Sequence, residues 1–365
     1  MPASRFRCAC ALWLALLGQT GCSAFDGLTE REGACRSAAV PASPTFGASL
    51  GSIEFTVAVK RVDLGDVDDG TATQRFRKMG YDIDGTCTAK GGQASSCIRP
   101  AWATSDDSDG PGGRDNGFGA LVYTSGGGAA SNQVNSDIEK GVITTLIRVR
   151  GYNGGSTDNQ VEVAIYGATM NPTGSESPRP AWQGDDKWKA HAPWVVLDES
   201  DAGSNPSPES ARFSDPNAYV TNGILVAKFE SFLLGGLQSV HDLVVTARIV
   251  EGEQGANWSL RDGTFSSRFA MDDILSALDF VRDNDTNQPL CTDAPNYPTF
   301  KQNICATADI NALGVDDGSA PCDAASWAWQ FSAEPALLEG VDFTVVRHNC
   351  MDNVSPSHDH CDTLK

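Results

Sequence analysis

Carboxylates crowded onto a glycine-broken loop are the first residues in this 365-residue chain whose types and spacing suggest chemistry. The segment Asp106-Asp107-Ser108-Asp109-Gly110 is followed closely by Asp115-Asn116-Gly117. Calcium takes about six to eight hard oxygens on a pliable backbone. Asp107, Asp109, Asp115 and Asn116 are therefore the candidate calcium ligands, and calcium is the candidate cofactor. Asp82 and Asp84, in Tyr81-Asp82-Ile83-Asp84-Gly85, would complete the site from one side of a strand; as turn residues they would serve only Gly85. The loop lacks the bidentate Glu of an EF-hand, and a solvated Asp/Gly turn is the competing reading.

Two weaker constellations follow. His348, His358 and His360 fall close together in the tail, and His-x-His on an extended strand points both imidazoles to one face, where zinc or copper is held. The same tail carries Cys350 and Cys361, which read equally as a staple. Trp182, Asp185 and Trp188 combine aromatic faces with a polar partner, the chemistry of a sugar site, although large aromatics more often fill a core. No phosphate-cradling glycine loop before a Lys and no His-Glu-x-x-His appears. A glycosidase-like pair of carboxylates is the enzymatic alternative, and the 47 acids single out no pair.

The elements that must position these groups begin with an address. Arg5 and Arg7 precede the apolar run Cys8–Gly18, which is far shorter than the roughly twenty residues that span a bilayer. Residues 1–21 read as a signal peptide. Gly21-Cys22-Ser23 makes Cys22 a lipidated mature N-terminus, and Ser23 directs it to an outer membrane; cleavage after Ala24, giving a freely secreted protein, is the other reading. Residues 22–46 have no period and read as a flexible tether, leaving 47–365 as a single domain.

Cys35, Cys87, Cys97, Cys291, Cys305, Cys322, Cys350 and Cys361 remain after export, an even number suited to disulfides in an oxidising compartment. The polar loop between Cys87 and Cys97 makes them the expected local pair. Five of the eight lie in 284–365, so this Cys-rich part is expected to be stapled. The formal net charge of −20 repels phosphate backbones and excludes nucleic acid, while cations and carbohydrate are compatible partners.

Alternation of apolar and polar residues places strands at Ser52–Leu64, Phe118–Tyr123, Val142–Arg150, Gln160–Tyr166, Pro193–Leu197, Tyr219–Phe229, Leu243–Val250, Ser326–Phe331 and Val341–Arg347. Helical spacing covers Ala270–Asp283 and a shorter piece at Asn135–Lys140, while 101–117 and 171–216 read as long loops. The fold class is all-β: a β-sandwich, jelly-roll or lectin-like, with one or two peripheral helices and disulfide staples.

Several short motifs together, Gly80-Tyr81-Asp82-Ile83-Asp84-Gly85-Thr86-Cys87, Gly113-Arg114-Asp115-Asn116-Gly117-Phe118-Gly119, Asp158-Asn159-Gln160-Val161-Glu162-Val163, Ala218-Tyr219-Val220 and Pro321-Cys322-Asp323-Ala324-Ala325-Ser326, resemble those of a group of uncharacterised bacterial exported proteins, many of them predicted lipoproteins. The resemblance implies one structural unit over most of 50–350 and carries no activity. The expected protein is an exported, lipid-anchored cell-surface molecule with a non-enzymatic binding or structural role. It would be stabilised by calcium and partnered by carbohydrate or another envelope protein.

Overall fold

Strands of this chain bury one side by period-two alternation. In β1 (Ile53–Asp63) Phe55, Val57 and Val59 turn to one core while Ala58 turns to another. The computed structural model describes residues 37–45, 51–88, 96–106, 108–126, 128–172, 178–196, 210–234, 238–252, 257–282, 288–344 and 349–364. Cys35–Lys365 form one compact unit. After β1 come helices α1 (Gly117–Gly126) and α2 (Ala129–Glu139), then β2 (Thr144–Tyr152), β3 (Asp158–Thr169), β4 (Lys187–His191), β5 (Phe213–Thr221), β6 (Ile224–Leu234), β7 (Gln238–Glu251) and β8 (Trp258–Ala270). Helices α3 (Met271–Ala277) and α4 (Tyr297–Cys305) precede β9 (Ala324–Pro335) and β10 (Leu337–Asp342).

The strands run β10-β4-β3-β2-β1-β9-β8-β7-β6-β5, and β3 pairs with β5 as well. That last pairing, from Asp158↔Val220 to Ile165↔Phe213, closes eight strands into an antiparallel barrel. The expected sandwich, jelly-roll or lectin-like, is overturned. A strand alternates identically whether its buried side faces a second sheet or the far wall of a barrel, and only the non-local β3–β5 pairing decides between them.

Side chains fill the barrel, including Val57, Ile147, Val163, Leu225, Val245 and Phe265. One region of this core is packed edge to face by Trp194, Phe213 and Phe232, with Trp194 and Phe232 centroids 4.5 Å apart. Trp194 presses on β3 at Gly167, where a Cβ would come within 2.6 Å of the indole. Outside the barrel, β4 and β10 cover β1–β3 and enclose a smaller core of Ala58, Leu146, Ala164 and Tyr166 against Trp188 and Val341. β3 is therefore buried on both faces, which explains its near-continuous apolar run.

Several local expectations change. Phe118–Tyr123 is helical within α1, because a short apolar run suits a buried helix as well as a strand. Tyr219–Phe229 is two strands joined at Asn222-Gly223, both in left-handed conformation, the turn a tight hairpin requires. The helix in Ala270–Asp283 stops earlier, at Ala277, and runs on as a 3-10 turn through Phe280. Within the tether, residues 37–45 lie on the domain: Ala38 N–H donates to Gly112 O, Asp82 N–H donates to Ala38 O, and the Tyr219 hydroxyl donates to Pro41 O.

The described disulfides are Cys97–Cys322, Cys291–Cys350 and Cys305–Cys361, and Cys87 is also disulfide-bonded. Cys97 thus joins the chain just before β9, across 225 residues, and the expected Cys87–Cys97 bridge is not formed. Cys22 and Cys35 lie outside the described residues.

Candidate functional site: an aspartate cluster on the barrel wall

Outward side chains of β8 and β9 form the floor of the site. Register pairs Ser266 with Ala328 and Arg268 with Ser326 on this outer face. The chain at 79–86 crosses this floor so closely that a Cβ at Gly80 (φ +86°) would lie 2.8 Å from Ala328 Cβ. Tyr81 fixes the crossing, its N–H reaching Ser266 Oγ and its hydroxyl bonding Thr246 Oγ1 at 2.7 Å. Asn116 fixes the neighbouring loop, since its amide nitrogen donates to Phe76 O and Ala328 O while its oxygen accepts from Gly119 and Ala328 N–H.

These two loops bring Asp82, Asp84 and Asp115 together, with one carboxylate oxygen from each within 4.8 Å of the others. Asp115 Oδ2 accepts from the N–H groups of Ile83 (2.7 Å) and Asp84 (3.3 Å), which aims the carboxylate. Asp82 is only 9% exposed, and neither of its oxygens has a hydrogen-bond partner. A buried carboxylate left in that state is costly unless a cation meets it.

Two further acids surround the trio. Asp109 Oδ2 accepts from Thr88 N–H, and Asp309 is held by the N–H (2.7 Å) and hydroxyl (2.6 Å) of Ser326. Burial pushes Asp109 up to about 8 and Asp309 up to about 7, with the charge of Asp84 adding to both. Asp115 is carried well above the carboxylate range by burial and then by Asp84, Asp109 and Asp309. Burial raises Asp84 too, and Asp316 and Asp82 add to the effect. Like charges in a desolvated pocket favour the neutral form, and a divalent ion reverses that preference. The space that Asp109 and Asp309 line together with Asn116 and Gly117 holds about 10 Å³, the volume of one water or one ion and far too small for a sugar ring.

Arg268 is an organised cation beside the cluster, but its guanidinium is already occupied. It makes a two-pronged bond to Asp316 (2.8 and 2.6 Å), donates to Ile83 O and Asn311 O, and pairs with Asp242 at 2.9 Å. It pins the Asp82–Asp84 loop by its backbone, and its charge reaches Asp84 only through space.

Asp109 and Asp115, expected from the loop, sit at the site, and Asp82 and Asp84 sit at its centre from bends rather than from a strand. Asp107 lies outside the described residues. Asn116 is structural: both ends of its amide are used by the backbone. Asp309 was not legible, being a lone acid in Ala308-Asp309-Ile310, and neither was Arg268.

The other constellations come apart. His348 lies outside the described residues, while His358 and His360 are exposed and His360 pairs with Asp272 at 3.0 Å. Cys350 and Cys361, beside those histidines, are consumed in disulfides to Cys291 and Cys305. Among the described residues only the Asp82, Asp84 and Asp115 group meets metal-ligand spacing. Trp188 is fully buried in the outer core, Asp185 is exposed and Trp182 is half-buried. No helix among the described residues is long and apolar enough to cross a membrane. Comparison with protein families, with curated proteins and with solved structures finds no match for this chain.

Proposed function

We propose that this protein is an exported, lipid-anchored, non-enzymatic barrel of the bacterial cell envelope, stabilised by calcium and serving as a scaffold that binds surface carbohydrate or another envelope protein. The observation that carries the calcium reading is Asp82, buried with both oxygens unbonded beside Asp84 and Asp115. Three carboxylates from two loops, with water completing the shell, match the hard-oxygen preference and loose geometry of calcium better than the rigid octahedron of magnesium. Export is supported by the signal-like N-terminus with Cys22 and by disulfides that an oxidising compartment maintains. The cramped space beside Asp109 and Asp309 favours an ion over a glycosidic substrate.

The test is a thermal melt of the oxidised protein in chelator and then in calcium. An ion that binds only the folded state raises the melting temperature by mass action. The reading expects a calcium-dependent rise that Asp82→Asn abolishes. An identical melt with and without calcium would overturn it.

A further inference from the structure

A different face of the barrel carries a groove of about 750 Å³, walled by β1, α2, β8 and β9 and closed at one side by Trp182. The chain holds this tryptophan in an unusual way. Its φ is +58°, a left-handed conformation that a bulky side chain rarely adopts, and such strain persists only where the surroundings enforce it. The enforcement is visible: the buried carboxylate of Asp186 accepts from the N–H groups of Ala181 (2.7 Å) and Trp182 (2.6 Å). The fully buried ring of Trp188 supports the indole at 5.9 Å, tilted by 41°. Trp182 is thus fixed by the fold at the groove, half-buried and packed against both hydrophobic cores while lining the groove.

The polar lining has hydrogen-bonding capacity to offer. Among the described residues the side chains of Arg61, Asn132 and Ser332 have no partner in the protein. Lys60 reaches over the indole, its ammonium 5.6 Å from the ring centroid. Lys60 and Arg261 share Glu334, at 3.9 and 2.9 Å, while Arg61 is in ion-pair contact with neither Glu334 nor Glu139, the other acid of the lining. Three cations and two carboxylates, Glu139 and Glu334, line the groove beside one tryptophan, a net positive lining in a chain of net charge −20. An aromatic edge with planar amide and guanidinium donors suits a pyranose, and an unpaired cation suits a carboxylate on it. The overall negative charge disfavours a dense polyanion such as nucleic acid but tolerates widely spaced carboxylates.

We propose that this groove binds an acidic oligosaccharide, a chain of uronate sugars, with Trp182 contacting a sugar ring and Arg61 meeting its carboxylate. The inference rests on the reading of the protein as a binding scaffold and is independent of the calcium site, with which the groove shares no residue.

The experiment is calorimetric titration of the oxidised full chain in chelator with trigalacturonate and, separately, with its neutral methyl ester. The expected result is saturable binding of trigalacturonate, about tenfold weaker binding of the ester, and a similar loss for Arg61→Glu. Trp182→Ala should abolish binding; should that variant not fold, Trp182→Phe is expected to weaken it while keeping the parent melt. Asp82→Asn should bind the sugar like the parent, so failure of the calcium reading leaves this outcome untouched. Absence of saturation up to about 10 mM, equal affinity for acid and ester, or an unchanged affinity in Arg61→Glu would each overturn the proposal.

Discussion

Beside α4, the buried ammonium of Lys301 lies 2.6 Å from Asp359, which also accepts the Tyr297 hydroxyl at 2.9 Å. On the barrel wall Asp82 is buried to a similar degree with neither oxygen bonded. The first region neutralises its charge from within the chain and is then closed by Cys305–Cys361 and Cys291–Cys350. The second gathers five acids, and Arg268 beside them is occupied by Asp316 and Asp242. A region whose polar groups satisfy one another needs nothing from solution, whereas one crowded with buried carboxylates waits for a counter-ion.

The titration behaviour follows this division. Burial alone would raise Asp359, but the bonds from Lys301 and Tyr297 outweigh it and hold the carboxyl below its usual range. Burial, reinforced by the bond to Asp359, raises Tyr297. In the cluster nothing outweighs burial, and Asp109 and Asp309 stay at about 8 and about 7.

The comparison can be broken most forcefully at the staples. Replacing Cys305 and Cys361 by Ser opens a link between residues 56 apart, and the chain-entropy relation gives a loss of about 4 kcal/mol in a urea melt that calcium does not restore. Next comes Lys301→Met, which strands Asp359; removing one partner of a buried pair costs about 3 kcal/mol, again with no calcium dependence. In the cluster, Asp82→Asn should melt in chelator at or above the parent temperature, because it removes one of the crowded charges. It should also lose the roughly 2.7 kcal/mol that the parent gains at a calcium concentration about one hundred times Kd. A calcium response retained in that variant would place the ion elsewhere.

The smallest effect separates the regions by sign. Asp109 and Asp309 have folded values above the ordinary carboxylate value of about 3.9, so their contribution is complete below that pH and is lost as pH rises through about 7 and about 8. Asp359 lies below its ordinary value, so its contribution is present above about 3.9 and is lost as pH falls through its folded value. In chelator the parent should therefore lose stability as pH rises from about 4 to about 8, and Lys301→Met should flatten only the acid limb. Because calcium needs the ionised cluster, its stabilising effect should grow over that same upper range.

Much of this was legible locally. The Val161, Val163 and Ile165 alternation locates β3, and the Asp106–Asp115 loop with Asp82 and Asp84 locates the cluster. What escaped depends on residues distant in sequence. Barrel closure lies in the pairing of 158–165 with 213–220, which no local period encodes. β8 does not appear among the expected strands, and its Gly263 sits where a Cβ would be 2.4 Å from the Phe331 ring, a fit set by the distant strand β9. Asp309 joins the site only because Ser326, seventeen residues on, fixes it against the wall. Asn116 misled in the other direction, since its side-chain type suits a ligand but its amide is taken by the backbone of β9 and α1.

The segment at 37–45 also has a mechanical consequence. Ala38 accepts from Asp82 N–H and donates to Gly112 O, and three residues later Pro41 O takes the Tyr219 hydroxyl. The bonds at Ala38 thus tie the segment 37–45 to both loops whose carboxylates converge. An ion seated between those loops would therefore stiffen the same few bonds that hold 37–45 to the barrel.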